Sequence, residues 1–208
     1  YLVLATGSVP KELPGLKIDE VNVLSSTGIL ALDTLPKSLA IVGGGVIGCE
    51  FASVMNSFGV ETTIIEFLPR IMATEDEEMV KRLTLALKKA GIKIITGVGV
   101  ESVSRTSGGN ELTLSDGAKL TFDKVLLSVG RVPRCGLDWL NGAPDMEKGA
   151  VVIDSLMRSS LPGVYAIGDL TAKLPLAHTA SKQGMIVAAH IRALSEGLEY
   201  TAPELNYV

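Results

Sequence analysis

Gly43-Gly44-Gly45-Val46-Ile47-Gly48 carries the strongest chemical signal in the chain. The segment fits GxGxxG, in which each glycine answers a separate physical need. Gly43 permits a tight turn, Gly45 lets the backbone approach a diphosphate, and Gly48 lets a helix pack closely on a strand. A helix opening at Val46 and Ile47 offers unpaired N–H groups and the positive end of its dipole to phosphate oxygens. Glu66 follows Gly48 by 18 residues and ends an apolar run. A carboxylate there accepts from both hydroxyls of an adenosine ribose and repels a 2′-phosphate, so it selects NAD over NADP. The plain alternative is a glycine-rich turn that holds nothing.

Other residues admit two readings each. Glu50, read as lying in the first turn of that helix, either answers the helix dipole or faces the nicotinamide end of the dinucleotide. Cys49 is a thiol near a helix N-terminus, where a thiolate is favoured, but a small apolar residue also packs well there. Arg70 has the charge to accommodate a phosphate and reads better as a solvated loop residue. Gly168-Asp169 follows a strand, where a carboxylate binds a ligand hydroxyl or simply makes a turn. His178 near a helix start is either catalytic or, the better reading, a cap or packing residue, and His190 in an apolar helix reads as structural.

Composition narrows the field. The formal net charge of −4 leaves no basic surplus for nucleic acid. Only Cys49, Cys135, His178 and His190 are available as soft ligands, with no CxxC, so no metal site is expected. So few thiols fit a cytoplasmic protein. The longest apolar runs are too short to span a bilayer, so no membrane partner is expected.

The elements that must position these residues alternate. Ser38 to Val42, Val60 to Glu66, Ile92 to Ile95 and Val125 to Val129 read as strands. Val46 to Phe58 and Glu75 to Ala90 read as helices, closed by Gly59 and Gly91. The second helix shows Met79, Leu83, Leu85 and Leu87 among charged residues. Val98 to Ser104, Glu111 to Leu114 and Lys119 to Phe122 read as an antiparallel trio, with hairpin signals at Gly108-Gly109-Asn110 and Asp116-Gly117. The expected fold is α/β and Rossmann-type: a parallel sheet with helices on both faces and a three-stranded antiparallel crossover. Lys11 to Pro36 reads as a linker with one short helix near Ser25 to Leu32. Beyond Pro133 come a loop of about fifteen residues, a strand at Val151 to Asp154, a strand and turn over Gly163 to Asp169, and a helix over Ala177 to Glu196. The tail from Gly197 to Val208 alternates apolar and polar residues. Expected boundaries are 1–37 for a strand plus linker, 38–150 for the NAD-binding domain and 151–208 for a returning segment.

Tyr1 to Pro10 aligns without gaps to Lys124 to Pro133, with identities at Leu4/Leu127, Gly7/Gly130, Val9/Val132 and Pro10/Pro133. Either two buried strands look alike, or each closes a domain of similar architecture.

These segments together resemble the flavoprotein disulfide reductases, and within them the dihydrolipoamide dehydrogenase branch. The carriers are Ala5-Thr6-Gly7-Ser8, Gly43 to Glu50, Ile65-Glu66-Phe67, Ser128 to Pro133, Val164 to Asp169 and Leu176-Ala177-His178. The resemblance implies NAD held by Gly43, Gly45, Val46, Ile47, Gly48, Glu50, Glu66, Val100 and Gly130. It implies FAD held by Ala5, Thr6, Gly7, Arg131, Gly168, Asp169, Leu176 and Ala177, with Asp169 on the ribityl chain and the Ala177 backbone at the flavin ring. Glu50 would support the flavin and nicotinamide through a lysine outside this sequence. The implied activity is oxidation of dihydrolipoamide with FAD and reduction of NAD, by a homodimer within 2-oxo-acid dehydrogenase complexes. Mercuric reductase-like and transhydrogenase flavoproteins share these motifs, and a stand-alone NADH-binding module is the reading from another class. The family's CxxxxC, its FAD-side GxGxxG and its catalytic histidine do not occur here. The chain, which opens on Tyr1 without Met, is therefore expected to be a central piece of a longer enzyme. Alone it is expected to be inactive, and to self-associate through uncovered strands.

Overall fold

The computed structural model describes residues 1–136 and 142–205. The chain divides into two compact units, Tyr1–Val9 with Arg131–Val208, and Pro10–Gly130. Strands β1 (Leu2–Leu4) and β2 (Ser8–Pro10) open the chain. The second unit then runs β3 (Val23–Leu24), α1 (Ser26–Leu30), β4 (Ser38–Val42), α2 (Val46–Ser57), β5 (Glu61–Glu66), α3 (Glu77–Lys89) and β6 (Lys93–Thr96). It continues with β7 (Val100–Thr106), β8 (Gly109–Leu114), β9 (Lys119–Phe122) and β10 (Lys124–Leu127).

Five of these strands form one parallel sheet in the order β3-β10-β4-β5-β6. Successive side chains of a strand point to opposite faces, and the two cores follow that alternation. Leu39 and Ile41 of β4, Ile64 of β5 and Leu126 of β10 pack with Ile29, Ala52, Met55, Val80 and Leu87 of the helices. Ala40, Val42, Ile65, Val125 and Leu127 face the other way, onto Leu112, Leu114 and Phe122 of the antiparallel sheet β7-β8-β9. The α/β Rossmann-type class and the antiparallel crossover hold. The expectation of helices on both faces does not: in this unit the crossover sheet covers the second face.

Capping sets the helix limits. α3 starts at Glu77, two residues later than its charge pattern suggests, because the Asp76 carboxylate accepts from the Met79 N–H at 3.0 Å. Its buried residues are Val80 and Leu87, with Leu83 half-buried, while Met79 and Leu85 are exposed. The buried face therefore follows spacing of three and four, not apolar content alone.

One sequence-based assignment needs correction. The supposed linker contains β3, whose two buried residues extend the sheet beside β10. Asp19 fixes its entry by accepting from the N–H groups of Val21, Asn22 and Val23. Burial opposes ionisation of this carboxyl, but the bonds from Asn22 and the three N–H groups win and hold its pKa well below the usual range. A pair of residues is too short to show periodicity, so this strand left no sequence signature. The compact units divide at 9/10 and 130/131.

The first unit pairs β1 in parallel with β14 (Val164–Ala166), after β11 (Arg131–Pro133), β12 (Met146–Glu147) and β13 (Ala150–Val151). The strand expected at Val151 to Asp154 is thus a two-residue strand at Ala150–Val151, antiparallel to β12. β2 lies beside β11. A 3₁₀ turn at Gly168–Thr171 leads to α4 (Ala177–Glu196), which buries Ile186 and Val187 against Tyr165 and Met157. Residues 137–141 of the loop after Pro133, and 206–208 of the tail, lie outside the described residues. Among the described residues no helix is long and apolar enough to cross a membrane, and no cluster of His, Cys, Asp and Glu could hold a metal ion.

Candidate functional site

β4, β5 and β10 all end at one edge of the parallel sheet, where the chain leaves β4 with β5 on one side and β10 on the other. Ligands of open α/β sheets bind at such a switch of strand order. A cleft of about 740 Å³ opens there, lined by Val42, Gly43, Gly45, Glu66, Val100 and Gly130 among others. That volume suits a cofactor-sized molecule.

The three glycines behave differently. Gly43 has φ +107°, and a Cβ on it would lie 2.5 Å from the Ser128 carbonyl oxygen. A Cβ on Gly48 would lie 2.0 Å from the Gly43 carbonyl oxygen, so turn and helix touch there. Gly45 has no atom within 4 Å of its Cβ direction, and its missing side chain leaves backbone open to the cleft. Gly45 is also the N-cap of α2 and supplies no capping side chain, so the first helical N–H groups keep their capacity for an acceptor.

Glu66 joins this turn physically. Its Oε2 accepts from the Gly44 N–H at 2.6 Å and its Oε1 from the Leu68 N–H at 2.7 Å. The carboxylate thus clamps the glycine turn while lining the cleft, and each oxygen retains a further lone pair. Ser128, quoted above only as the start of a family motif, braces the same turn by donating from Oγ toward the carbonyls of Val42 and Gly43, each at 3.1 Å.

Of the residues expected around NAD, Gly43, Gly45, Val46, Ile47, Glu66, Val100 and Gly130 line the cleft. Gly48 lies buried behind the turn, and exposed Glu50 lies outside the lining. Glu50 is the fifth residue of α2, and the first turn holds no acidic residue. A reading of Glu50 as a dipole partner therefore fails on position. Cys49 is buried, and its thiol is pushed up to about 11 by burial, reinforced by the charges of Glu66 and Glu50. The low-pKa reading of this thiol is overturned: burial and two carboxylates outweigh the helix N-terminus. Arg70 does not line the cleft, and its Nη2 donates to the Ala73 carbonyl at 2.8 Å. Phe67, quoted above only within a family motif, also lines the cleft, and the lining residues that sequence reading missed include Leu13, Leu68, Gly99 and Ser115. Leu13 precedes the first strand of this sheet, and Ser115 lies in a hairpin, so no local motif marked them.

In the first unit Ser8 links two expected residues. Its hydroxyl donates to Asp169 Oδ2 at 2.6 Å and accepts from Arg131 Nε at 2.7 Å. Gly7 and Gly168 have φ +71° and +70°. Thr6 Oγ1 donates to the Arg134 carbonyl at 2.6 Å, and Ala5 is exposed. Exposed Leu176 is the N-cap of α4 and supplies no capping side chain, and Ala177 is exposed beside it. His178 is exposed and supplies no cap, so neither structural role expected of it is realised. His190 is buried, with Nδ1 3.0 Å from the Tyr165 hydroxyl. Both cysteines are free.

Comparison with known proteins gives a concordant picture. Residues 1–184 match the profile of the pyridine nucleotide-disulphide oxidoreductases. A dihydrolipoyl dehydrogenase of Chlamydia pneumoniae is 42% identical over 205 residues, covering 97% of this chain and 44% of the relative. That of Bacillus subtilis is 39% identical over 200 residues, covering 93% of this chain and 42% of the relative. The crystal structure of LpdA from Mycobacterium tuberculosis superposes with a TM-score of 0.85 at 29% identity, covering 98% of this chain and 44% of that one. An engineered water-forming NADPH oxidase, bound to NADPH, superposes with a TM-score of 0.79 at 26% identity, covering 98% of this chain and 47% of that one. The chain thus spans less than half the length of these relatives.

Proposed function

Because this chain belongs to the pyridine nucleotide-disulphide oxidoreductase family, we propose that its cleft binds NAD(H) and serves as the nucleotide-binding central region of a dihydrolipoamide dehydrogenase. The observation that carries this is the meeting, in one cleft, of an uncapped helix start, an unobstructed Gly45 and the Glu66 carboxylate. The residues fit a dinucleotide. Backbone N–H groups of α2 receive the diphosphate, and Glu66 accepts from the ribose hydroxyls while opposing a 2′-phosphate. Val100 and Gly130 bound the adenine and nicotinamide ends. Glu50, on the exposed side of α2, supports the reacting end.

In the whole protein the first unit would hold FAD, which would supply electron transfer between a dithiol and a nicotinamide. Asp169 is oriented by Ser8, whose hydroxyl donates to its Oδ2, which suits it to hold a ribityl hydroxyl. Ala177 and Leu176, at the uncapped start of α4, would offer N–H groups to a flavin acceptor, and Ala5, Thr6, Gly7, Gly168 and Arg131 complete the proposed FAD set. Dihydrolipoamide as reductant, a homodimer and a place in 2-oxo-acid dehydrogenase complexes complete the proposal. Two free thiols suit a cytoplasmic location.

Calorimetric titration of the 208-residue chain with NADH and NADPH tests the nucleotide reading. NADH should bind at least about tenfold more tightly, a gap of about 1.4 kcal/mol. Equal or tighter NADPH binding overturns the choice of cofactor. Gly45→Val should lower NADH affinity by about a hundredfold or more while the circular dichroism spectrum is kept, since the side chain enters open space at the phosphate position.

A further inference from the structure

A second cavity, of about 590 Å³, lies in the same unit beside α3 and β6, and it shares no lining residue with the nucleotide cleft. Its size is that of a small-molecule site. On α3 the lining residues Lys81, Thr84 and Lys88 follow at intervals of three and four, so they stand on one face of the helix. Arg70, in the segment between β5 and α3, adds a third cation. Glu77 is the one carboxylate among the described lining residues, and it is taken: Lys81 Nζ lies 2.8 Å from its Oε1. That bond, with the charges of Lys81 and Arg70, holds the Glu77 carboxyl below the usual carboxylate range. Arg70 is the group left over. Its Nη2 donates to the Ala73 carbonyl at 2.8 Å, while its Nη1 is buried and finds no acceptor among the described residues. A charged donor held from water without an acceptor costs stability, so it calls for a partner that the chain does not supply. The rest of the wall is aliphatic. Ile71 and Val80 are buried, Ile94 is half-buried, and Leu85 stands 69% exposed on a helix that buries Val80 and Leu87. Among the described residues no aromatic ring lines the cavity.

We infer that this cavity is a second binding site, for an aliphatic carboxylate whose head group meets Arg70 and Lys88 and whose chain lies on Ile71, Val80, Leu85 and Ile94. The inference goes beyond the nucleotide reading and does not depend on it. A carboxylate accepts from a guanidinium N–H in a short, charge-assisted bond. A turn of the Arg70 side chain toward the cavity it lines makes that bond and gives Nη1 the acceptor it lacks. The cations outnumber the carboxylate of the wall, so a neutral ligand leaves them unanswered. An aliphatic chain suits walls that have no ring to stack on, and it withdraws Leu85 from water.

The test titrates hexanoate at neutral pH into the isotope-labelled 208-residue chain and follows amide signals by nuclear magnetic resonance. Hexanamide, which keeps the chain without the charge, and acetate, which keeps the head without the chain, are titrated beside it. Hexanoate should bind at least about tenfold more tightly than either. It should shift the signals of Arg70, Lys88 and Ile94 and leave those of Gly45 and Gly130 unmoved. Arg70→Met should lower hexanoate affinity by about tenfold and erase its preference over hexanamide. Lys88→Gln should lower it by about threefold. Lys88 is exposed, so its variant is safe for folding and decides the matter if Arg70→Met unfolds. Leu85→Ser should weaken hexanoate binding and leave acetate unchanged. Hexanamide binding as tightly as hexanoate overturns the inference, as does full hexanoate affinity in the folded charge variants. Shifts centred on Gly45 and Gly130 place the ligand in the nucleotide cleft and overturn it too. So does the absence of saturable binding at millimolar hexanoate.

Discussion

β1 with its following turn and β10 with its turn share a sequence pattern, yet they meet different fates. Leu4/Leu127 and Gly7/Gly130 occupy matching places, and Arg131–Pro133 lies beside Ser8–Pro10. The exchange of bonds is symmetrical: the Arg134 N–H donates to the Gly7 carbonyl at 2.9 Å, and the Lys11 N–H to the Gly130 carbonyl at 3.0 Å. β10 has a parallel neighbour on each side and both faces covered, and its Val125, Leu126 and Leu127 are all buried. β1 pairs only with β14 among the described residues, and Val3, the counterpart of Leu126, is 41% exposed. An apolar strand signature therefore states what a segment can bury. Whether it is buried depends on neighbours drawn from elsewhere in the chain.

Substitution at those matched positions should show the contrast most strongly. Leu126→Ala, at a fully buried site, should cost about 3 kcal/mol in urea unfolding. Val3→Ala should cost about 0.5 kcal/mol. Similar losses at the two sites would mean that β1 is buried as deeply as β10 in solution.

The matched glycines sharpen the comparison from the other side. Gly7 and Gly130 both have positive φ and no atom within 4 Å of a Cβ position. Gly7→Ala and Gly130→Ala should therefore cost about the same, about 1–2 kcal/mol each, through backbone strain alone. Only Gly130→Ala should also weaken NADH binding, because only Gly130 lines the cleft. A matching loss of NADH affinity in Gly7→Ala would break this distinction.

A smaller difference separates the two thiols, one in each unit. Cys135 is partly exposed and burial raises its pKa, while Cys49 is buried and pushed up to about 11. Iodoacetamide at pH 8 should modify Cys135 first and reach Cys49 only on unfolding. The folded state holds Cys49 neutral more firmly than the unfolded chain does, where the thiol titrates near 9.0. Its stabilising contribution is complete below about pH 9 and declines as pH rises toward about 11. Cys49→Ala should flatten stability over that window, and an unchanged alkaline slope would assign it to other groups.

The sequence by itself determined the parts that rest on local physics. The strand Ser38–Val42 and the helix Ala177–Glu196 have the limits that their apolar runs and flanking residues imply. Gly59 and Gly91 close their helices at φ +86° and +100°, a conformation glycine adopts without penalty. The GxGxxG turn and the place of Glu66 at a strand end were legible for the same reason, since both are written in spacing along one strand–helix–strand unit. Tertiary structure alone decided matters that depend on distant partners. β3 exists as a strand because β10, about a hundred residues later, offers it an edge. Glu66 doubles as a clamp on Gly44 because β5 ends beside the turn that leaves β4. Cys49 lost its reactive reading because packing removes water from its sulfur, which no helix position reveals. Phe67 stands open at the cleft because Gly99, on a separate strand connection, leaves the ring a place to lie. Local sequence encodes torsional preference and periodicity, whereas burial and the field at a charged group sum over neighbours that only the folded chain assembles.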